Sequence, residues 1–185
     1  MKEAADPRAV DLLACCRSGA TLQGEWPQAG MARLAISLHG AVPAPAPVRW
    51  TATGSLRPVA GGEAEVWLHL RASTEVSLTC QRCLQSMDEA LQVDRHFRFV
   101  RGEDEAARLD EVSEDDVLEL PQRLDLHALV EDELILALPL VPRHERCPAP
   151  LPLRDAEVAE EPAPKPFAAL ASLRRREPGD GAGGG

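Results

Sequence analysis

Between residues 31 and 101 the apolar side chains recur at every second position. That period commits this stretch to strands that are buried on one face and wet on the other. Ala32, Leu34, Ile36 and Leu38 share one side, against Arg33, Ser37 and His39. After a proline-rich break at Pro43, Pro45 and Pro47, Trp50, Ala52 and Leu56 alternate with Thr51, Thr53, Ser55 and Arg57. Val66, Leu68 and Leu70 then alternate with Glu65, Trp67, His69 and Arg71, and Val76, Leu78 and Cys80 with Glu75, Ser77 and Thr79. The three residues between these two runs predict a hairpin there. A last run sets Leu91, Val93, Phe97 and Phe99 on one face, which Arg95 partly shares. Short links between about five strands predict an antiparallel meander or an open barrel.

The period then changes. Leu126, Leu129, Val130, Leu134, Ala137 and Leu138 recur at three- and four-residue spacing, with Asp125 where an N-cap belongs and Pro139 as a stop. The spacing predicts one long helix over about 125–138, lying on the apolar face of the sheet with Glu131, Asp132 and Glu133 outward. The expected class is α+β, mostly β. Between these signals, Glu103 to Glu119 holds nine acids and one arginine and reads as a solvated loop. Residues 1–30, with the short apolar segment Val10 to Cys16, read as an extension that packs on the β-rich domain of residues 31–147. From 148 to 185 the composition turns to Pro, Ala, Glu and Gly, which predicts a mostly disordered tail. One island in it, about 166–176, has the spacing of a short helix ending in Arg174, Arg175 and Arg176.

Charge and sequence bound the role. The formal net charge is −10, which argues against a general coat for nucleic acid. The longest apolar run, Leu134 to Val141, is broken by Pro139 and falls short of the roughly 20 residues that span a bilayer. The first six residues lack the apolar segment of a secretory signal, so five cysteines are expected as thiols or metal ligands in a reducing cytoplasm. No phosphate loop, nucleophile elbow or metalloprotease histidine pair is present, and the five histidines are scattered. His69 and His96 fall on strand faces and read as structural. No catalytic residues are assigned, and an enzyme is not expected.

The sharpest local feature is Cys80-Gln81-Arg82-Cys83, just after a strand. Two thiolates at this spacing can grip one zinc, and His144 and Cys147 beyond the helix could complete a closed four-ligand site. Free thiols and a redox dithiol are the alternatives. The vicinal pair Cys15 and Cys16 suggests no mechanism. Arg95, Arg98 and Arg101 on one strand, with Arg82 in the cysteine loop, could form a basic patch for RNA phosphate. Glu131, Asp132 and Glu133, with Phe167, Leu170 and Arg174 to Arg176, are candidate partner contacts.

Three blocks carry a resemblance: Cys80-Gln81-Arg82-Cys83-Leu84, then Val130-Glu131-Asp132-Glu133-Leu134-Ile135-Leu136-Ala137-Leu138-Pro139 with His144 and Cys147, then Pro166-Phe167-Ala168-Ala169-Leu170. In order and spacing they resemble the YceD family, named for large ribosomal RNA subunit accumulation, over about residues 20–176. The resemblance implies a role in synthesis, processing or stability of 23S rRNA in the bacterial cytoplasm. It also implies partners among large-subunit assembly components, a ribosomal protein or an rRNA-processing enzyme, and no membrane or small-molecule substrate. The family cysteine pair falls on Cys80 and Cys83. With its net charge, the chain reads as a non-enzymatic acidic adaptor for a basic protein. A direct rRNA-binding protein and a zinc- or redox-responsive regulator of ribosome production are the alternatives.

Overall fold

A computed structural model describes residues 6–40 and 45–148. The class is α+β, built on one open five-stranded sheet in the order β1-β2-β3-β4-β5. The strands are β1 (Thr21–Trp26), β2 (Val48–Arg57), β3 (Glu65–Thr79), β4 (Ser86–Val100) and β5 (Asp116–Glu119). The first four form an antiparallel meander, and β5 lies parallel to β4. The sheet is therefore mixed, which corrects the all-antiparallel expectation. Four helices accompany it: α1 (Leu12–Ser18), α2 (Ala32–Ile36), α3 (Glu103–Asp110) and α4 (Leu126–Leu136). No helix among the described residues is long and apolar enough to cross a membrane.

The number of strands agrees with expectation, and β2, β3 and β4 cover expected runs, but the remaining identities differ. Residues 32–38 are not a strand. Met31 and Leu34 are buried and Leu38 partly so, a three- and four-residue spacing, while Ile36 stands 84% exposed on α2. The hairpin expected at 72–74 is absent too. Ala72, Thr74 and Val76 keep the buried parity of Val66 and Leu78, so β3 runs unbroken for 15 residues. Thr74 interrupts the apolar face without orphaning a polar group, because Gln28 Nε2 donates to its hydroxyl at 2.8 Å. The reversal comes instead at Cys80–Gln85. The acidic stretch is no bare loop either: Glu103, Asp104 and Glu105 fill the first turn of α3, where the helix dipole favours negative charge. A parallel neighbour needs a crossover, and α3 supplies it between β4 and β5.

The long helix forms close to where its spacing predicts. Asp125 caps it, with Oδ1 accepting from Ala128 N at 2.9 Å, and the helix stops three residues short of Pro139. Its Leu126, Val130 and Leu134 join Leu68, Leu70, Leu91 and Phe97 in the core. α1 packs on the same side of the sheet over Gly54, where a Cβ would come within 2.9 Å of Cys16 N. The outward placement expected for Glu131 and Glu133 fails. They are only 6% and 9% exposed, because α4 is covered by α2 on one flank and faces Arg95 of β4 on another.

The segment 41–44 and everything from residue 149 on lie outside the described residues. The tail, the helix expected at about 166–176, and Phe167, Leu170, Arg174, Arg175 and Arg176 are among them.

Candidate metal centre

The turn that joins β3 to β4 is built from the cysteine loop itself. Cys80 N donates to Gln85 O and Leu84 N to Cys80 O, each at 2.9 Å, which curls the chain around the first sulfur. Leu84 closes the curl in the left-handed region at φ +59°. A leucine there carries the steric cost of an L side chain, about 1–2 kcal/mol, and this one is 56% exposed and contributes little packing. Leu84→Gly is expected to raise the unfolding free energy by about 0.5–1 kcal/mol, glycine's extra chain entropy offsetting part of the relief. Urea midpoints of the two proteins check this; an unchanged or lower midpoint would mean the turn is not strained.

The segment after α4 folds back onto this turn. Gln81 N donates to Pro142 O at 2.8 Å, and the Arg82 guanidinium to His144 O at 2.9 Å and Glu145 O at 3.3 Å. Those bonds deliver His144 and Cys147 to the cysteine pair. Cys80 Sγ lies 3.9 Å from Cys147 Sγ, and Cys83 Sγ lies 3.4 Å from His144 Nδ1. All four donor atoms fall within 4.8 Å of one another. Cys80 and Cys83 are buried, and Cys147 and His144 half-buried. His144 Nε2 is 3.1 Å from Ser86 O, an outer contact that fixes the ring and leaves Nδ1 for the sulfur side.

The electrostatics of the turn favour thiolate at Cys80. Burial pushes the Cys80 thiol up, but the backbone N–H groups of His144, Arg82 and Cys83 more than offset it and hold Cys80 at about 5. Burial pushes Cys83 up instead. The Arg82 Nε donates to Cys147 Sγ at 2.9 Å, setting a fixed positive charge beside the sulfurs. Three sulfurs and an imidazole nitrogen converging in this way can hold a metal ion.

The other expected site residues do not converge. Arg82 and Arg101 sit at opposite ends of β4, roughly 45 Å apart at the usual rise per residue. Arg82 is spent on the cysteine loop. Arg95 meets Asp116 at 2.5 Å and Glu133 at 3.7 Å, Arg98 meets Glu65 at 2.9 Å, and Arg101 meets Glu63 at 3.5 Å. The four arginines thus form no single basic patch. Of the acidic helix block only Asp132 reaches the surface, and it pairs with Arg33. In the sequence Arg33 shows only as a polar neighbour of Leu34, because its partners lie about a hundred residues away.

A family model described as "Large ribosomal RNA subunit accumulation protein YceD" matches residues 68–174, a span that contains all four metal-centre residues and α4. A Haemophilus influenzae protein named "Large ribosomal RNA subunit accumulation protein YceD" is 36% identical over 111 residues, 57% of this chain and 64% of that protein. The chain therefore spans a little under two thirds of the length of that curated relative. No solved structure matches the chain.

Proposed function

The chain belongs to the YceD family, and from that premise we propose that it supports accumulation of large-subunit ribosomal RNA as a non-enzymatic adaptor for a basic protein in the bacterial cytoplasm. The process is taken from the family and from the name of its relative. The adaptor role is carried by one observation: Glu103, Asp104, Asp110, Glu111, Glu114 and Asp115 are all exposed on α3 and the turn after it. On a protein of net charge −10, this gathers carboxylates on one small surface suited to lysine- and arginine-rich partners such as ribosomal proteins. Glu131 and Glu133 are no part of that surface, being buried in ion pairs.

The metal centre is assigned to zinc in a structural role. A closed set of three cysteines and one histidine suits zinc's preference for sulfur and nitrogen ligands in tetrahedral sites. Zinc would supply a fixed cross-link between the β3–β4 turn and the segment beyond α4. Cys80, Cys83, His144 and Cys147 would hold it, and Arg82 would offset the excess negative charge of the thiolates. With three of its five thiols committed to that clasp and its buried acids to ion pairs, the chain fits a scaffold better than a catalyst.

Affinity capture from growing bacteria, with and without nuclease treatment of the lysate, tests the adaptor. A basic ribosomal protein is expected in both halves, released by raised salt and lost in Glu111→Lys/Glu114→Lys. Capture that disappears after nuclease treatment, and survives the charge reversal, would replace the adaptor with direct rRNA binding.

A further inference from the structure

The opposite face of the sheet, away from α1 and α4, carries a second group of metal-ligating side chains. We propose that His69, Asp94 and His96 form a surface site for a transition-metal dication of intermediate softness, such as Ni²⁺, Cu²⁺ or Zn²⁺. The β3–β4 register sets His69 directly opposite His96, and Asp94 two residues before His96 is on the same face. His69 Nε2 lies 2.6 Å from Asp94 Oδ1. The two imidazoles stack at 4.1 Å with 7° between their planes. One donor atom from each of the three residues falls within 4.8 Å of the other two.

Ligands at 2.0–2.2 Å from one ion stand roughly 3–3.5 Å apart. The three donors, now within 4.8 Å of one another, must draw together by side-chain rotation to reach that spacing. Both strands are 15 residues long and paired along most of their length, so the backbone that presents the three donors is rigid. Arg71 Nε donates to Asp94 Oδ2 at 3.0 Å. That bond orients the carboxylate and leaves Oδ1 directed at the imidazoles, the outer support that ligating carboxylates commonly have. Two imidazoles and a carboxylate suit zinc, copper, nickel and iron and leave coordination positions open. His69 is half-buried while Asp94 and His96 are exposed, so those positions face solvent and can take water or an anionic oxygen. The site is independent of the cysteine centre, which lies about ten residues away along β4, or roughly 34 Å.

The test uses the full chain carrying one equivalent of zinc, titrated with Ni²⁺ by calorimetry and followed by NMR. A further single equivalent is expected, with paramagnetic broadening of the His69 and His96 ring signals. His96→Ala and Asp94→Asn are each expected to weaken this step at least about tenfold, whereas Cys80→Ser leaves it intact. Both substituted residues are exposed, and thermal unfolding of each variant verifies the fold. Absence of a saturable second equivalent would overturn the proposal, as would equal Ni²⁺ affinity in the wild type and both variants. Loss of the step in Cys80→Ser would assign it to the cysteine centre and overturn the proposal as well.

Discussion

A chelator added to the zinc-loaded protein is expected to lower its thermal midpoint by roughly 10 °C and to leave Cys80→Ser unmoved. The size follows from linkage. An ion that binds only the folded chain, at a free concentration a thousand times its Kd, stabilises by about 4 kcal/mol. In a domain of this size each kcal/mol shifts the midpoint by about 2–4 °C. The folded state is strongly preferred, because Cys80 and Cys147 are 67 residues apart and Cys83 and His144 are 61 apart. Unfolding separates the Cys80/Cys83 pair from the His144/Cys147 pair, and any residual binding to one pair lowers the shift. What the ion would fasten is a junction otherwise held by hydrogen bonds, among them Gln81 N to Pro142 O and Arg82 to His144 O. Loading should also release protons, since Cys83, pushed up by burial, must ionise to bind, while Cys80 at about 5 is already a thiolate near neutrality. A midpoint indifferent to chelator, in protein free of metal by elemental analysis, would remove zinc from the account.

Glu131→Ala is expected to destabilise the fold by about 2–3 kcal/mol. The helix α2 has no side-chain cap of its own at Met31. Its first N–H groups are satisfied by Glu131 from α4: Oε1 accepts from Arg33 N at 2.7 Å and from Leu34 N at 3.1 Å, and Oε2 from Arg33 Nε at 3.1 Å. Alanine would leave the buried Leu34 amide without that acceptor. Acid should erase the effect. Burial pushes the Glu131 carboxyl up, but the Leu34 and Arg33 amides and the Arg33 guanidinium outweigh it and hold it below the usual carboxylate range. A lowered folded value means that the contribution is complete above the unfolded pKa of about 4.3 and is lost as pH falls through the folded value. Glu133, two residues on, has the opposite sign. Burial raises it, and Arg95 offsets that only in part, so its charge costs stability at neutral pH. Glu133→Gln should therefore gain stability at pH 7, and the gain should fade once both states are protonated below about pH 4. Urea midpoints at the two pH values separate the residues; equal responses in both variants would sink the assignment.

Several elements were legible because their signal is local. Asp125 followed by apolar residues at three- and four-residue spacing marks a capped helix in any context. The alternations at 50–57 and 91–99 each find a strand, and those at 65–71 and 75–79 find two parts of one, β3. Cys-x-x-Cys with a later His and Cys nominated the four residues that do meet. Other elements were misread where two patterns share the same residues. Leu34, Ile36 and Leu38 satisfy period two, while Met31, Leu34 and Leu38 satisfy the helical spacing, and only burial against α4 decides between them. The acids of 103–119 read as solvated in the sequence because their charge hides Ala106 and Val117, the two buried residues that dock α3 and β5.

The amino-acid order by itself pointed to the α+β class, the capped helix that covers the sheet, and the cysteines and histidine that converge at the β3–β4 turn, because hydrophobic period, capping and ligand type are properties of neighbouring residues. The tertiary structure alone decided which charges are free. Glu131 and Glu133 look like surface groups in the sequence and become buried, Arg82 stays exposed but is tied to the segment beyond α4, and His69 and Asp94, unremarkable 25 residues apart, become neighbours. The reason is that burial and strand register are set by the packing of distant segments, which no local pattern encodes.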